Sequence, residues 1–243
     1  SAGDSHTCAV INAGVQCWGE NGSGRLGNNS TIQSIDPVQV FGLASNVSTV
    51  AAGGLHSCAL VSGGVQCWGF NGGGQLGNGN FADSLTPVDV IAAGSNVAAI
   101  AAGQNYSCAI LNGGLLCWGA NSFGQLGINN TVNTPTPTQT ISSGNAVTSV
   151  SASNFHTCAV VSGGVQCWGH NFSGKLGNGS MIDSYLPVQA IPPGSGVTTV
   201  AAGGNHSCAV LNGGLQCWGY NGNGEAGTPI VAYTSSARPV RWP

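Results

Sequence analysis

A segment of 50 residues recurs five times along this chain of 243 residues. Each copy contains a His or Tyr, a short apolar run with one Cys, and a second Cys followed by Trp-Gly, as in HSCALVSGGVQCWG from His56. The five signatures begin at His6, His56, Tyr106, His156 and His206. Because a fixed period of roughly 20–50 residues is typical of repeat architectures, we predict a single domain of five repeats. The repeats are residues 1–50, 51–100, 101–150, 151–200 and 201–243.

Four short strands are predicted in each repeat, with Gly and Asn in the turns between them. For the second repeat the strands are Val47–Val50, which directly precedes it, and Cys58–Val61, Val65–Gly69 and Val88–Ile91. No stretch combines a helical period with capping residues. Four strands in a repeat of about 40–50 residues are typical of a β-propeller blade. The sequence therefore predicts an all-β fold, a β-propeller of five four-stranded blades, with a solenoid as the alternative.

The cysteines occur as one C-x8-C pair in every repeat. In the third repeat, Asn112-Gly113 favours a two-residue hairpin turn, because both turn positions need a positive φ. This turn places Cys108 opposite Cys117 at a pair without backbone hydrogen bonds, where Cα atoms approach to about 4.5 Å and a disulfide fits. The predicted disulfides are Cys8–Cys17, Cys58–Cys67, Cys108–Cys117, Cys158–Cys167 and Cys208–Cys217. Five disulfides predict an oxidising compartment, outside the cell or in the periplasm.

A metal site is the alternative use of these cysteines. His6 and Cys8 point the same way on a strand, and Cys17 lies opposite them. They offer three ligands where a structural zinc site needs four, and C-x8-C is not a usual zinc spacing. We therefore favour disulfides and predict no metal and no cofactor.

The low content of charged residues excludes several classes of function. They make up 5% of the chain, against about 25% in an average protein. With four Lys and Arg residues and a net charge of −3, the chain lacks a surface for nucleic acid or anionic lipid. No apolar run reaches the roughly 18 residues that a membrane span needs. The acids are scattered, and no nucleophile motif or dinucleotide fingerprint occurs, so we predict that the protein is not an enzyme.

The repeat also resembles a known pattern. It reads A-G-x-x-H-[ST]-C-A-[VL], then V-Q-C-W-G-x-N-x-x-G-x-L-G, then P-V, and it resembles the regulator-of-chromosome-condensation repeat family over nearly the whole chain. The resemblance implies a β-propeller, for which seven blades are usual and five copies are present here. Members include a nuclear nucleotide-exchange factor, ubiquitin-ligase modules and a secreted bacterial β-lactamase inhibitory protein. The paired cysteines make the chain more similar to the secreted members.

The first repeat lacks one predicted strand. Repeats two to five each have a V-x-x-[VI] strand before the signature, whereas the first repeat begins at Ser1-Ala2-Gly3, and Arg241-Trp242-Pro243 supplies no replacement. An uncovered strand edge is a template for another chain. Three expectations stay open: a piece of a longer protein, a propeller that tolerates a three-stranded blade, or a strand donated by a neighbouring copy.

Two residue types recur at equivalent positions. The repeated histidines favour a hydrogen bond within each blade to a backbone group over a ring of imidazoles, because Tyr106 replaces one of them. One Trp per repeat favours packing between blades over sugar binding, and Trp242 lies outside that series. The Asn-x-x-Gly-x-Leu-Gly segments are predicted to be turns, since they lack the Lys-[ST] ending of a phosphate loop.

Positions that vary among the repeats are the candidates for binding a partner, since binding residues concentrate on loops. They are Glu20, Phe70, Phe123, His170, Phe172 and Tyr220. Glycosylation is a further prediction at the sequons of Asn28, Asn29, Asn129 and Asn178.

These features together predict a non-catalytic extracellular propeller for protein–protein interaction or structural assembly. It would self-associate through the incomplete first blade. A carbohydrate-binding module and a secreted enzyme inhibitor are the alternatives.

Overall fold

The computed structural model describes residues 1–229 and 231–240. These residues form nineteen β-strands, as the sequence predicted an all-β chain. None of them belongs to a helix that is long and apolar enough to cross a membrane. Arg241, Trp242 and Pro243 lie outside the described residues. The strands are β1 His6–Ile11, β2 Gly14–Gly19, β3 Ser34–Gln39, β4 Val47–Ala52, β5 His56–Val61, β6 Gly64–Gly69, β7 Ser84–Ile91, β8 Val97–Ala102, β9 Tyr106–Leu111, β10 Gly114–Gly119, β11 Thr134–Ile141, β12 Val147–Ala152, β13 His156–Val161, β14 Gly164–Gly169, β15 Ser184–Ile191, β16 Val197–Ala202, β17 His206–Leu211, β18 Gly214–Tyr220 and β19 Tyr233–Pro239.

Five antiparallel sheets follow one another along the chain, so the predicted blades are confirmed. From the second sheet on, the first strand begins four residues before the 50-residue unit, as β4 does at Val47. The sheets have the strand orders β4-β5-β6-β7, β8-β9-β10-β11, β12-β13-β14-β15 and β16-β17-β18-β19. The first sheet has only three strands, β1-β2-β3, as the missing V-x-x-[VI] segment predicted. The last strand of a blade begins earlier than predicted, since β7 starts at Ser84 rather than at Val88. Pro87 is tolerated inside β7 because a sheet edge does not need its amide.

The central hairpin of each blade has the predicted register. In the second blade, Cys58 lies opposite Cys67 and Val61 lies opposite Gly64. The turn residues Ser62 and Gly63 have φ values of 49° and 76°, as a type I′ turn requires. All five predicted disulfides are present, with Cα–Cα distances of 4.0–4.1 Å, and no cysteine is free. The metal alternative is therefore wrong, because these sulfurs cannot act as thiolate ligands.

The last strand of the fifth blade pairs with its neighbour as in the fourth blade, although its sequence differs. In the fourth blade Cys167 lies opposite Val188. In the fifth blade Cys217 lies opposite Arg238, although Pro239-Val240 comes two residues later than the Pro-Val of the first, second and fourth repeats. The strand has kept its pairing, and arginine has taken the place of the valine.

The chain packs as two compact units. One contains residues 1–112, 116–120 and 133–138, and the other contains residues 113–115, 121–132 and 139–243. The first unit has two apolar clusters, in which Trp68 and Trp118 are fully buried beside disulfides. The second unit has a cluster around Trp218, Leu176 and Val165. That all five repeats form a single domain stays a prediction.

Candidate binding surfaces

One set of contacts joins consecutive repeats and recurs along the chain. Between the first and second repeats, Trp68 Nε1 donates a 2.8 Å hydrogen bond to the carbonyl oxygen of Arg25. Ser57 Oγ donates to the same oxygen at 3.1 Å. A buried indole needs an acceptor for its N–H, and here the preceding repeat provides it. We call this arrangement a blade junction.

The other blade junctions use the equivalent residues. In the first compact unit, Trp118 and Ser107 both donate to the carbonyl of Gln75. In the second compact unit, Trp168 and Thr157 donate to Gln125, and Trp218 and Ser207 donate to Lys175. The prediction that the tryptophans pack between blades is therefore confirmed for Trp68 and for these three, but not for Trp18.

The repeated histidines also belong to the blade junctions. The Nε2 atoms of His6, His56 and His156 lie 2.8–2.9 Å from the hydroxyl oxygens of Ser57, Ser107 and Ser207, respectively. The predicted bond to a backbone group of the same blade is wrong for these Nε2 atoms, because each of them meets a hydroxyl of the next repeat. His156 Nδ1 also lies 2.7 Å from the Ser153 hydroxyl of its own repeat. Burial lowers the pKa of His6 to about 4 and that of His56 to about 3. These imidazoles are thus neutral structural groups at pH 7.

In the first blade, the residues equivalent to the Trp and Ser donors of a blade junction lack the acceptors that their counterparts have, among the described residues. Trp18 is half-buried, whereas Trp68, Trp118, Trp168 and Trp218 are fully buried. Neither Trp18 Nε1 nor Thr7 Oγ1 has a hydrogen-bond partner among the described residues. Ile35 is 91% exposed and lines a groove of about 420 Å³ together with Trp18 and Glu20. We call Thr7, Trp18 and Ile35 the first-blade face.

The first blade also has a partly open edge along β1. Ala2 pairs with Thr7, and the backbones of Ser1 and Cys8 exchange hydrogen bonds of 2.8 and 2.9 Å. In the second blade the whole strand β4 covers the equivalent edge, and its last two residues, Ala51 and Ala52, lie opposite Cys58 and Ser57. Ser1 and Ala2 take the positions of these two residues only. Val10 and Ile11 are consequently 36% and 42% exposed. We call residues 9–11 the first-blade edge.

A row of aromatic rings lies on the second compact unit. Phe123 packs against Phe155 and His170, with ring centroids 4.9 and 5.0 Å apart. His170 stacks on Phe172 at 6.4 Å. The row continues from Phe172 to Tyr233 and from Tyr233 to Tyr220. We call these six rings the aromatic row.

The aromatic row is open to solvent and neutral at pH 7. Phe172 is 68% exposed and Tyr233 is 37% exposed. Burial beside its neighbours lowers the pKa of His170, with the Lys175 charge acting in the same direction, so its imidazole is uncharged at pH 7. Flat apolar faces of this kind suit stacking against a ligand.

The row contains four of the six predicted binding residues: Phe123, His170, Phe172 and Tyr220. Sequence reasoning missed Phe155, which stands next to a structural histidine, and Tyr233, which lies where the fifth repeat diverges. Glu20 and Phe70 belong to the first compact unit. Glu20 is ion-paired with Arg25 at 2.6 Å, and Phe70 is half-buried. As sites for a partner, all six stay predictions.

Two further kinds of site are a metal centre, which was the alternative use of the cysteines, and the predicted glycosylation sites. No three His, Cys, Asp or Glu side chains come together as metal ligands within residues 1–229 and 231–240. Of the predicted glycosylation sites, Asn29, Asn129 and Asn178 are exposed and Asn28 is half-buried. Their modification stays a prediction.

Comparison with known families gives a match over four of the repeats. The model described as the regulator of chromosome condensation (RCC1) repeat matches residues 14–60, 62–110, 112–160 and 162–210. A second model with the same description matches residues 97–125, 147–175 and 197–225. No curated protein matches the chain with significance.

Solved structures similar to this chain include yeast RCC1 and the ectodomain of a plant receptor kinase. Human WBSCR16 has a TM-score of 0.85 at 24% identity, over 98% of this chain and 65% of its own. Yeast RCC1 (Prp20), in its complex with Kap60, has a TM-score of 0.82 at 22% identity, over 98% and 59%. The ectodomain of the receptor kinase ACR4 of Arabidopsis thaliana has a TM-score of 0.54 at 22% identity, over 98% and 65%. The chain thus spans 59–65% of the length of these structures.

Proposed function

Because the chain belongs to the regulator of chromosome condensation (RCC1) repeat family, we propose that it is a non-catalytic protein-interaction module that acts outside the cell and associates with further copies of itself through its first blade. A propeller of the same fold, yeast RCC1 (Prp20), was crystallised with the protein Kap60 bound to it. The five disulfides support an oxidising environment, because thiols stay reduced in the cytosol and nucleus.

The observation that carries self-association is the uncovered first blade. Its sheet has three strands, and its edge leaves Val10 and Ile11 exposed. An exposed apolar strand edge pairs readily with another chain. The half-buried Trp18 and the exposed Ile35 add apolar area beside that edge, and aromatic side chains in a pocket provide much of the binding energy in protein interfaces.

The low charge of the molecule favours the same outcome. Only 11 side chains, four basic and seven acidic, carry formal charge. Few like charges then oppose the approach of a second copy, since net charge is what keeps many proteins monomeric.

Light scattering over a concentration series tests this proposal. We expect the purified, oxidised chain to form dimers or larger species. The double variant Val10→Lys/Ile11→Lys places two charges on the first-blade edge and should shift the protein to monomers. Ile32→Lys is the matched control, since Ile32 is exposed, as are the equivalent Val132 and Ile182. A wild-type chain that stays monomeric at every concentration would contradict the proposal.

Carbohydrate binding is a second candidate, and the aromatic row favours it. Sugars present apolar C–H faces that stack on aromatic rings, and the row offers six adjacent rings on one compact unit. A glycan array would test it, with Phe172→Ala expected to abolish any signal. Phe41→Ala is the control, because Phe41 is 63% exposed and lies in the other compact unit. A blank array with the wild-type protein would rule this candidate out.

A further inference from the structure

We infer that the aromatic row, together with the carboxylate of Asp183, binds an uncharged and extended sugar chain. This inference rests on carbohydrate binding, the second candidate function, and names the class of sugar and the residues that recognise it. It does not depend on self-association. The six rings and Asp183 all belong to one compact unit.

Rings from three consecutive repeats meet in the aromatic row. Its middle consists of His170 and Phe172 of the fourth repeat, whose ring planes are inclined by only 9°. Phe123 of the third repeat contacts His170, and Tyr233 of the fifth repeat contacts Phe172. Neighbouring centroids along the row are 4.9–6.4 Å apart, a spacing comparable to the width of one sugar ring. Consecutive rings can therefore stack against consecutive sugars of one chain.

Phe172 is a ring that the fold itself does not require. The other repeats have only glycine or serine at the equivalent position. These residues are Gly22, Gly72, Ser122 and Gly222. The turn thus forms without a ring, yet Phe172 is present and 68% exposed, although apolar surface in contact with water is unfavourable. Its open face is available to a ligand that presents C–H groups.

Asp183 places a hydrogen-bond acceptor beside these rings. Its Oδ1 accepts a 2.7 Å hydrogen bond from the backbone amide of Asn171, the residue between His170 and Phe172. Among the described residues Asp183 Oδ2 has no hydrogen-bond partner, and the side chain is half-buried. Because carboxylates accept strong hydrogen bonds from hydroxyl groups, this oxygen can bind a hydroxyl of a sugar whose C–H face lies on the row.

The charges beside the row favour an uncharged ligand. Burial lowers the pKa of His170, the charge of Lys175 lowers it further, and the charge of Asp183 acts in the opposite direction. One positive and one negative group thus act on the middle of the row. Lys175 is buried, and its ammonium group donates to the Gly204 carbonyl at 3.2 Å and to Asn205 Oδ1 at 3.0 Å. It is therefore not available to pair with an acidic sugar.

The extent of the row favours a chain over a single sugar. Phe172 is 68% exposed and Tyr233 is 37% exposed, and the two rings come from different repeats. A single sugar stacks on one ring, whereas a chain can contact both at once. Once the first sugar of a chain is bound, the next binds as part of the same molecule, at a high effective concentration. Affinity should therefore rise with the length of the chain.

Titration calorimetry with sugars of defined charge and length tests this inference. The uncharged probes are cellohexaose and the hexamer of N-acetylglucosamine, each compared with its monomer. The charged probes are the acidic hexamer of galacturonic acid and the cationic hexamer of glucosamine. We expect the wild-type protein to bind an uncharged hexamer at least about tenfold more tightly than its monomer, as linkage of binding units predicts. The charged hexamers should not bind measurably.

Two variants test the residues that carry the inference. Phe172→Ser and Asp183→Asn introduce the residues of the third repeat, Ser122 and Asn133, so both variants should fold. Phe172→Ser removes the exposed stacking face. Asp183→Asn retains an acceptor for the amide of Asn171 and removes the carboxylate. Each substitution should weaken binding of the hexamer at least about tenfold, since an aromatic anchor or a hydrogen bond to a charged group is lost.

Asp83→Asn is the matched control for Asp183→Asn. Asp83 accepts a 2.7 Å hydrogen bond from the amide of Asn71, the same contact as in the fourth repeat, but it belongs to the other compact unit. This variant should bind the hexamer as the wild type does. If Asp83→Asn weakens binding as much as Asp183→Asn, or if Asp183→Asn has no effect, Asp183 does not bind the sugar and the inference is wrong.

The remaining outcomes separate this inference from carbohydrate binding in general. If only a charged hexamer binds, or if a monomer binds as tightly as its hexamer, the protein binds sugars but the class named here is wrong. Decaproline is a further probe, because extended proline helices also dock on aromatic surfaces, and its binding in the absence of any sugar binding would assign the row to a peptide. If no sugar binds, the second candidate function fails together with the inference.

Discussion

At the residue scale, the buried histidines couple folding to pH. His56 is fully buried, and its Nε2 lies 2.9 Å from the Ser107 hydroxyl. Burial lowers its pKa in the folded protein to about 3, whereas in an unfolded chain the value is about 6.5. The unfolded state therefore binds one more proton per such histidine between these values. The free energy of unfolding falls as the pH drops below about 6.5, by up to about 1.4 kcal/mol per pH unit for each site.

Replacing His56 by tyrosine should flatten this dependence. Tyr106 occupies the equivalent position and is fully buried, so the repeat accommodates a phenol there. We expect His56→Tyr to lose less stability than wild type between pH 6.5 and pH 4, and Tyr106→His to lose more. Urea denaturation at several pH values measures both. Parallel pH profiles for the three proteins would show that these side chains do not control acid stability.

The histidines also show how far residue patterns can be interpreted. Their recurrence and the substitution by Tyr106 correctly predicted a structural role. Their partners were not predictable, because the hydroxyl that meets His56 belongs to a residue 51 positions further along the chain. Which atoms of two repeats meet depends on how the blades pack, and periodicity alone does not determine this.

At the element scale, the central hairpin was predictable in full. A two-residue turn with positive φ at both positions fixes the pairing of every residue up to the cysteines, and the observed register Cys58–Cys67 follows. The beginning of the last strand of each blade was not predictable. Residues such as Ser84 and Pro87 have low strand propensity, and only pairing with β6 makes them part of a strand.

The disulfide should stabilise its hairpin by a moderate amount. A bridge that closes a loop of about ten residues contributes about 2–3 kcal/mol in the chain-entropy model. Cys58→Ala/Cys67→Ala should lower the free energy of unfolding by about this much, because both sites are apolar and buried and alanine leaves no unsatisfied polar atom there. Denaturant unfolding without reductant gives the value.

Unfolding of the wild-type protein in the presence of a reductant is the matching second measurement. The reductant opens all five bridges of the wild-type chain, so it should destabilise the protein far more than the double substitution does. Equal stabilities of the wild type and the double variant would show that the bridge contributes nothing to the folded state.

At the scale of the whole molecule, binding surfaces arise from positions that the repeat pattern does not mark. The sequence indicated Phe123, His170, Phe172 and Tyr220 because they vary among repeats. It could not show that Tyr233 lies between Phe172 and Tyr220, since that contact depends on packing between the fourth and fifth blades. The strand count predicted the first-blade edge, whereas the first-blade face follows only from the half-burial of Trp18, whose counterparts in the other blades are fully buried.

Hydrogen exchange measured at low and at high protein concentration tests these surfaces together. In dilute protein, the amide of Val10 should exchange faster than that of Leu60, because both amides point away from the central hairpin, β4 covers the one at Leu60, and only Ser1 and Ala2 lie beside β1. At high concentration, protection should rise in the first blade, and it should not change in the aromatic row. Ile35→Asp should abolish the rise. Protection that rises in the aromatic row instead would place the self-association interface there and overturn the role given to the first blade.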